Sequence, residues 1–188
     1  MSNNTQPGPR IAPLEPEQWS EEVRAALKNW DPPLNFHKTM AHNPTTLKNW
    51  IGFGEGILFE NLLNLREREI TILRVAYNMR CEYEWGAHAA YARREGCLND
   101  EELSQLCLGA KATGWHPSEA ALIAAVDDLT SAGGISDESW DRLSVHYSPA
   151  HIIDFIYLVG EFMMVGMFMK SFKLTPDPGF DPFPTNDY

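Results

Sequence analysis

Arg66–Gly96, REREITILRVAYNMRCEYEWGAHAAYARREG, is the stretch on which the reading of this chain turns. Its first half has helical spacing. Leu65, Ile72, Leu73 and Ala76 fall on one face, and Glu69 lies on that same face. A carboxylate placed there must be partnered or neutral, because an unpaired buried charge is too costly. Asn64 with Glu67 three residues on makes a capping box that opens this helix, and Asn78–Arg80 breaks it after Tyr77. A second helix then begins at Cys81 and runs to about Gly96. On it Cys81, Glu84 and His88 stand at i, i+3 and i+7, which stacks a thiol, a carboxylate and an imidazole on one face. A helix start favours a thiolate, and Arg80 adds positive charge beside it, so the spacing predicts a lowered pKa for Cys81. Glu84 and His88 can share a proton, Ala87, Ala89 and Ala90 leave room for a ligand, and Glu69 can reach the same spot from the preceding helix.

Taken one at a time, these residues also have ordinary readings. Glu84 and His88 match a common exposed i,i+4 pair, and Cys81 a small buried hydrophobe. Tyr83 and Trp85 are core or pocket walls. The four ligand types could hold a metal, but the paired His or Cys spacing of a zinc motif is missing, and no metal or organic cofactor is expected.

The rest of the chain is punctuated by helix caps. Ser20 with Glu21 and Glu22 opens a helix to about Asn29, which Asp31-Pro32-Pro33 stops. Asn43-Pro44 opens one to about Asn61, in which Gly52, Gly54 and Gly56 suggest close packing. Asn99 with Glu102 starts one to about Lys111. Pro117 starts one ending at Gly133-Gly134, Ser136 a short one to about Val145, and Ser148-Pro149 the longest, to about Lys173. No segment alternates with period two, so the fold is all-α, with seven to eight helices in one domain over 1–188 and its motif core at 65–96. The Pro-rich ends, 1–15 and 174–188, are extended arms, and Phe180, Phe183 and Tyr188 suggest that the second docks.

The last helix is apolar nearly all round, which suits a central helix or one shared with another subunit. Its Ile152–Met169 stretch, interrupted by Asp154 and Glu161, reads as buried and too short to span a bilayer. His151, Asp154 and Glu161 form a secondary stripe, of which His151 and Asp154 read as a solvent edge and Glu161 is the deeper. A net charge of −11 argues against nucleic-acid and anionic-membrane partners. Three cysteines without pairing pattern and an N-terminus without an apolar signal core point to a reducing, cytoplasmic setting.

The linked blocks resemble the carboxymuconolactone decarboxylase family, which includes the alkyl hydroperoxidase D-like proteins. The pattern is a Glu, a twelve-residue step to a Cys, then C-x-x-[C or E]-x-x-x-H, here Glu69, Cys81, Glu84 and His88. Weaker similarity reaches AHNPTTLKNW before it, and AVDDL and Trp140 after it. The resemblance implies an AhpD-like helical fold, assembly as a homo-trimer or hexamer, and a site in a cleft near a subunit boundary. The hydroperoxidase branch resolves its sulfenic acid with a second cysteine, where this chain has Glu84. Only a one-cysteine peroxidase with an external thiol stays open on that side. The decarboxylase branch matches at Glu84 and His88 and implies cofactor-independent acid/base chemistry of lyase type on a small oxygenated carboxylate or lactone. In that reading His88 is the general acid/base, Glu84 orients it, Glu69 relays protons and Cys81 lines the site. Tyr83, Trp85, Arg80 and Arg74 are then the candidates for substrate contacts. A non-catalytic oligomeric binding module is the third alternative.

Overall fold

The computed structural model describes residues 8–184, and among these it contains nine α-helices and no strand. They are α1 Glu21–Ala26, α2 Asn35–Met40, α3 Pro44–Phe59, α4 Leu65–Asn78, α5 Glu82–Arg94, α6 Asp100–Leu108, α7 Pro117–Ala132, α8 Asp137–His146 and α9 Pro149–Phe172. Ser20, Asn43, Asn64, Asn99, Ser136 and Ser148 each accept a backbone N–H from the first turn of the helix they open. These are the caps the sequence marks. α2, like α5, opens without such a cap. Its N-cap is Leu34, and the Asn35 N–H instead donates to the carboxylate of Asp177, from the far end of the chain.

α4 is the axis of the fold. Glu69 through Ala76 are all buried, so the helix packs on every side, against α5, α6, α7 and α9. One apolar cluster joins α4, α7, α8 and α9 around Ile72, Val126, Leu143, Phe155 and Leu158. A second joins α1–α3 to the C-terminal half of α9 around Val23, Phe36, Leu47, Val165 and Met169. A third fills the space between α4, α5 and α6 around Ile70, Leu73, Trp85, Leu103 and Leu106. Each fully buried Leu, Ile or Phe in them contributes about 1.5–3 kcal/mol relative to exposure.

α9 is 24 residues long and, by length and hydropathy alone, could cross a bilayer, so the expectation that it is too short is corrected. Here one flank packs against α3, α4, α5, α7 and α8. Ile153, Ile156, Tyr157 and Met167 on its other side are exposed.

Both arms lie on the helices where they are described. Arg10 N–H donates to Phe172 O and Leu14 N–H to Lys38 O. Phe180 packs edge-on against Tyr83 and beside Gly86, where any Cβ would collide with it, and Phe183 packs on Tyr77 and Trp85. Tyr188 lies outside the described residues.

Candidate active site

The α4–α5 break sets up the site. Cys81 N–H donates to Ala76 O at 2.9 Å and Arg80 N–H to Tyr77 O at 3.0 Å, with Arg80 left-handed at φ 55°. This is a Schellman turn with a non-glycine residue at its left-handed position. Such a conformation costs about 1–2 kcal/mol, and the Arg80 guanidinium 4.9 Å over the Tyr77 ring offsets part of it. The turn makes Cys81 the N-cap of α5 and sends α5 back along α4, so that Glu84 and His88 face Glu69.

Glu69 is 0% exposed and His88 16%, which makes their contact a buried pair with one edge near solvent. His88 Nδ1 bonds Glu69 Oε2 at 2.7 Å, and its Nε2 stands 3.3 Å from Glu84 Oε1. Arg68 Nε donates to Glu69 Oε1 at 3.3 Å, while its Nη1 donates to Leu58 O. The imidazole and the Phe162 ring are nearly perpendicular, with 5.1 Å between their centroids. Burial disfavours the imidazolium. The charges and contacts of Glu69 and Glu84 overcome that and push the pKa up to about 10. His88 is therefore a cation near neutral pH, clamped between two carboxylates. The tighter bond is to Glu69, so Glu69 is the group that orients the ring.

Cys81 is 2% exposed, with Sγ 3.9 Å from Met169 Sδ and Cβ against Gly166. Burial pushes its thiol up to about 11. The N–H groups of Glu84 and Tyr83 and the charge of Lys170 oppose this without reversing it, while Glu84 adds to it. The lowered pKa expected from the helix start is corrected: desolvation outweighs the helix N-terminus.

Of the four candidate substrate contacts, none reaches His88. Arg74 is locked to Asp127 by Nε at 2.6 Å and Nη2 at 3.0 Å, and its Nη1 donates to Leu106 O and Cys107 O. Arg80 lies exposed over Tyr77. Trp85 is core between α4 and α6. Tyr83 accepts from Phe36 N–H and donates to Asp177, fastening α2 and the C-terminal arm. Among the described residues, the hydrogen bonds and ring contacts of these four run to Asp127, Tyr77, Phe36, Asp177 and Phe183 and not to Glu84 or His88. His151 bonds the Ser148 cap, and Asp154 accepts from Leu62 N–H, so both stay at the helix edge.

Glu161 is the residue that packing adds. It is 4% exposed on α9 and is pushed up to about 7, by burial first and then by the charge of Glu84, with His88 pulling the other way. A Cβ on Gly54 would stand 2.5 Å from Glu161 Oε1, so α3 needs glycine there for the carboxyl to fit. Glu84 Oε2 and Glu161 Oε2 are both buried without a hydrogen-bond partner. Four ionisable groups thus meet where α3, α4, α5 and α9 converge. Glu69, Glu84 and His88 come from the motif and Glu161 from outside it, with only its position deep in an apolar run as a signal.

This helical arrangement is that of the AhpD-like proteins. It superposes with a TM-score of 0.78 on an uncharacterized peroxidase-related protein from Ralstonia eutropha with an alkylhydroperoxidase AhpD core, at 18% identity over 94% of this chain and 99% of that one. A peroxidase-related protein from Silicibacter sp. gives 0.74, at 19% identity over 96% and 97%. The debrominase Bmp8 gives 0.77, at 16% identity over 90% and 92%, and a cysteine-to-alanine form of it has been solved with 2,3,4-tribromopyrrole. No curated protein matches the sequence significantly. Within the fold, residues 44–128 match the model of the carboxymuconolactone decarboxylase family.

Proposed function

We propose that the chain is an acid/base enzyme of lyase or decarboxylase type that acts on a small oxygenated carboxylate or lactone without a cofactor. The observation that carries this is the clamped imidazole: Glu69 at 2.7 Å on Nδ1 and Glu84 at 3.3 Å on Nε2, with the other Glu84 oxygen buried and unbonded. When a carbon–carbon bond to carboxylate breaks, carbon dioxide leaves and the electron pair stays behind as an enolate, which must take up a proton. The proton on His88 Nε2 passes by way of Glu84 to the enolate carbon, which leaves His88 neutral until solvent returns a proton to it. Glu69 keeps the ring in register and supports its charge. Positioned proton transfer of this kind contributes about 10²–10⁴-fold in rate.

The test is carbon dioxide release from a panel of carboxylated γ-lactones. His88→Ala and Glu84→Gln should lose at least a hundredfold in rate, and Cys81→Ser should keep most of it. Turnover that survives His88→Ala would refute the proposal.

A second reading, thiol-dependent peroxide reduction at Cys81, draws support from that residue's place at the N-cap of α5 and from the peroxidase-related proteins that share the fold. It requires that Cys81→Ser abolish peroxide consumption with dithiothreitol as the external thiol. The exposed Ile153, Ile156, Tyr157 and Met167 on α9 support assembly as a homo-trimer or hexamer, which light scattering at the column outlet checks.

A further inference from the structure

Arg74 and Arg80, the arginines expected to meet a substrate, are engaged elsewhere, and a third stands at the site itself. Arg68 Nε donates to Glu69 Oε1 at 3.3 Å, while His88 Nδ1 bonds Oε2 of the same carboxylate at 2.7 Å. Among the described residues, Arg68 is the one arginine or lysine that pairs with Glu69 or Glu84.

Its donors are also held less tightly than those of its neighbours on α4. Every guanidinium nitrogen of Arg66 bonds an oxygen, at 2.6–2.8 Å, and so does every one of Arg74, at 2.6–3.0 Å. In Arg68 only Nη1 is bound so closely, at 2.6 Å to Leu58 O. Nε stands at 3.3 Å from its acceptor and Nη2 at 3.5 Å from the Tyr91 hydroxyl, beyond ordinary hydrogen-bond lengths. A guanidinium carries five N–H groups, so at least two of those on Arg68 have no protein partner among the described residues. Solvent touches the cluster on this side. The Arg68 side chain is 12% exposed and that of His88 16%, against 0% for Glu69 and 4% for Glu84.

We propose that Arg68 is the oxyanion-binding residue of this site and takes the negative oxygen of a ring enolate. The assignment rests on the proton-transfer reading above. When the carbon–carbon bond to carboxylate breaks, its electron pair passes through the ring carbon to the lactone carbonyl oxygen, and it returns to that carbon as the proton arrives. A cation on the departing carboxylate would hold the charge where it starts and slow the loss. On the carbonyl oxygen it favours the place where charge develops. The unspent N–H groups supply the direct bonds that an anion beside Glu69 and Glu84 needs.

The experiment is an NMR titration of the full chain at pH 7, read at the His88 Cε1–H signal. The probes are tetronate, a five-membered ring that is an enolate anion at this pH, γ-butyrolactone, the neutral ring, and tetrahydrofuran-2-carboxylate, a ring with a carboxylate instead. Tetronate should bind saturably and about tenfold or more tighter than either of the others, the scale of one charge-assisted hydrogen bond. Arg68→Gln should bring tetronate down to the level of the lactone and leave lactone binding unchanged, and Arg68→Lys should recover part of the difference. Tetronate no tighter than the lactone, or a carboxylate that binds as well as tetronate, would overturn the assignment in the wild-type protein alone. So would an Arg68→Gln variant that keeps tetronate affinity, or one that loses both probes equally, which would make Arg68 a tie to Leu58 only. These are equilibrium readings, so they can stand where the His88→Ala turnover test fails, or fail where it stands.

Discussion

Glu161→Gln is the substitution whose effect can be worked through most fully. The carboxyl moves from an ordinary 4.5 to about 7 on folding. Between those values the folded chain holds a proton that the unfolded chain has released, so stability falls as pH rises through the window. Moving 4.5 to about 7 corresponds to about 3 kcal/mol, present as lost stability above pH 7 and absent below pH 4.5. Two histidines act in overlapping ranges. His37, buried and neutral at a pKa of about 4 in place of 6.5, loses stability as pH falls from 6.5 towards 4. His88, raised to about 10, contributes stability that is complete below 6.5 and lost as pH climbs through 10. The wild-type curve between pH 4.5 and 6.5 is thus a near-cancellation of Glu161 against His37, and the variant is needed to separate them. Urea unfolding of both proteins at pH 5, 6, 7 and 8 measures the difference. Glutamine cannot titrate, so its own packing cost is the same at every pH. Relative to wild type, Glu161→Gln should gain about 2–3 kcal/mol between pH 5 and pH 8. Parallel curves would refute the account of a buried, unpartnered acid.

Other consequences can be read individually. Cys81 should resist iodoacetamide at pH 8 and gain reactivity only towards pH 11, with the less buried Cys97 alkylated first, as peptide mass mapping would show. Gly54→Ala should lower stability by about 1–3 kcal/mol, because its Cβ meets Glu161 at 2.5 Å, and combining it with Glu161→Ala should restore most of the loss in a double-mutant cycle. Tyr83→Phe leaves the Phe36 N–H and Asp177 without their shared hydroxyl. It should cost about 1–3 kcal/mol and speed proteolytic cleavage in the arm beyond Leu174.

The legible parts of this molecule are those whose causes are local. The caps at Ser20, Asn43, Asn64, Asn99, Ser136 and Ser148 work within one turn, so a side chain and its partner sit three residues apart in sequence. Glu69, Glu84 and His88 converge because a Schellman turn folds two adjacent helices together, and the turn is itself short-range. α2 escapes the same reading, since the group that satisfies its first N–H is Asp177, 142 residues away.

Sequence alone therefore determined the all-helical class and the starts of the capped helices, consequences of hydrogen bonds that close within a few residues. Packing of distant helices decided the rest. It buried Cys81 and raised the pKa that the helix start was expected to lower. It locked Arg74 onto Asp127 and put the indole of Trp50 and the acid of Glu161 on either side of Gly54. Desolvation is set by whatever comes to lie on top of a residue, and here α3 and α9, far apart in the chain, supply that cover.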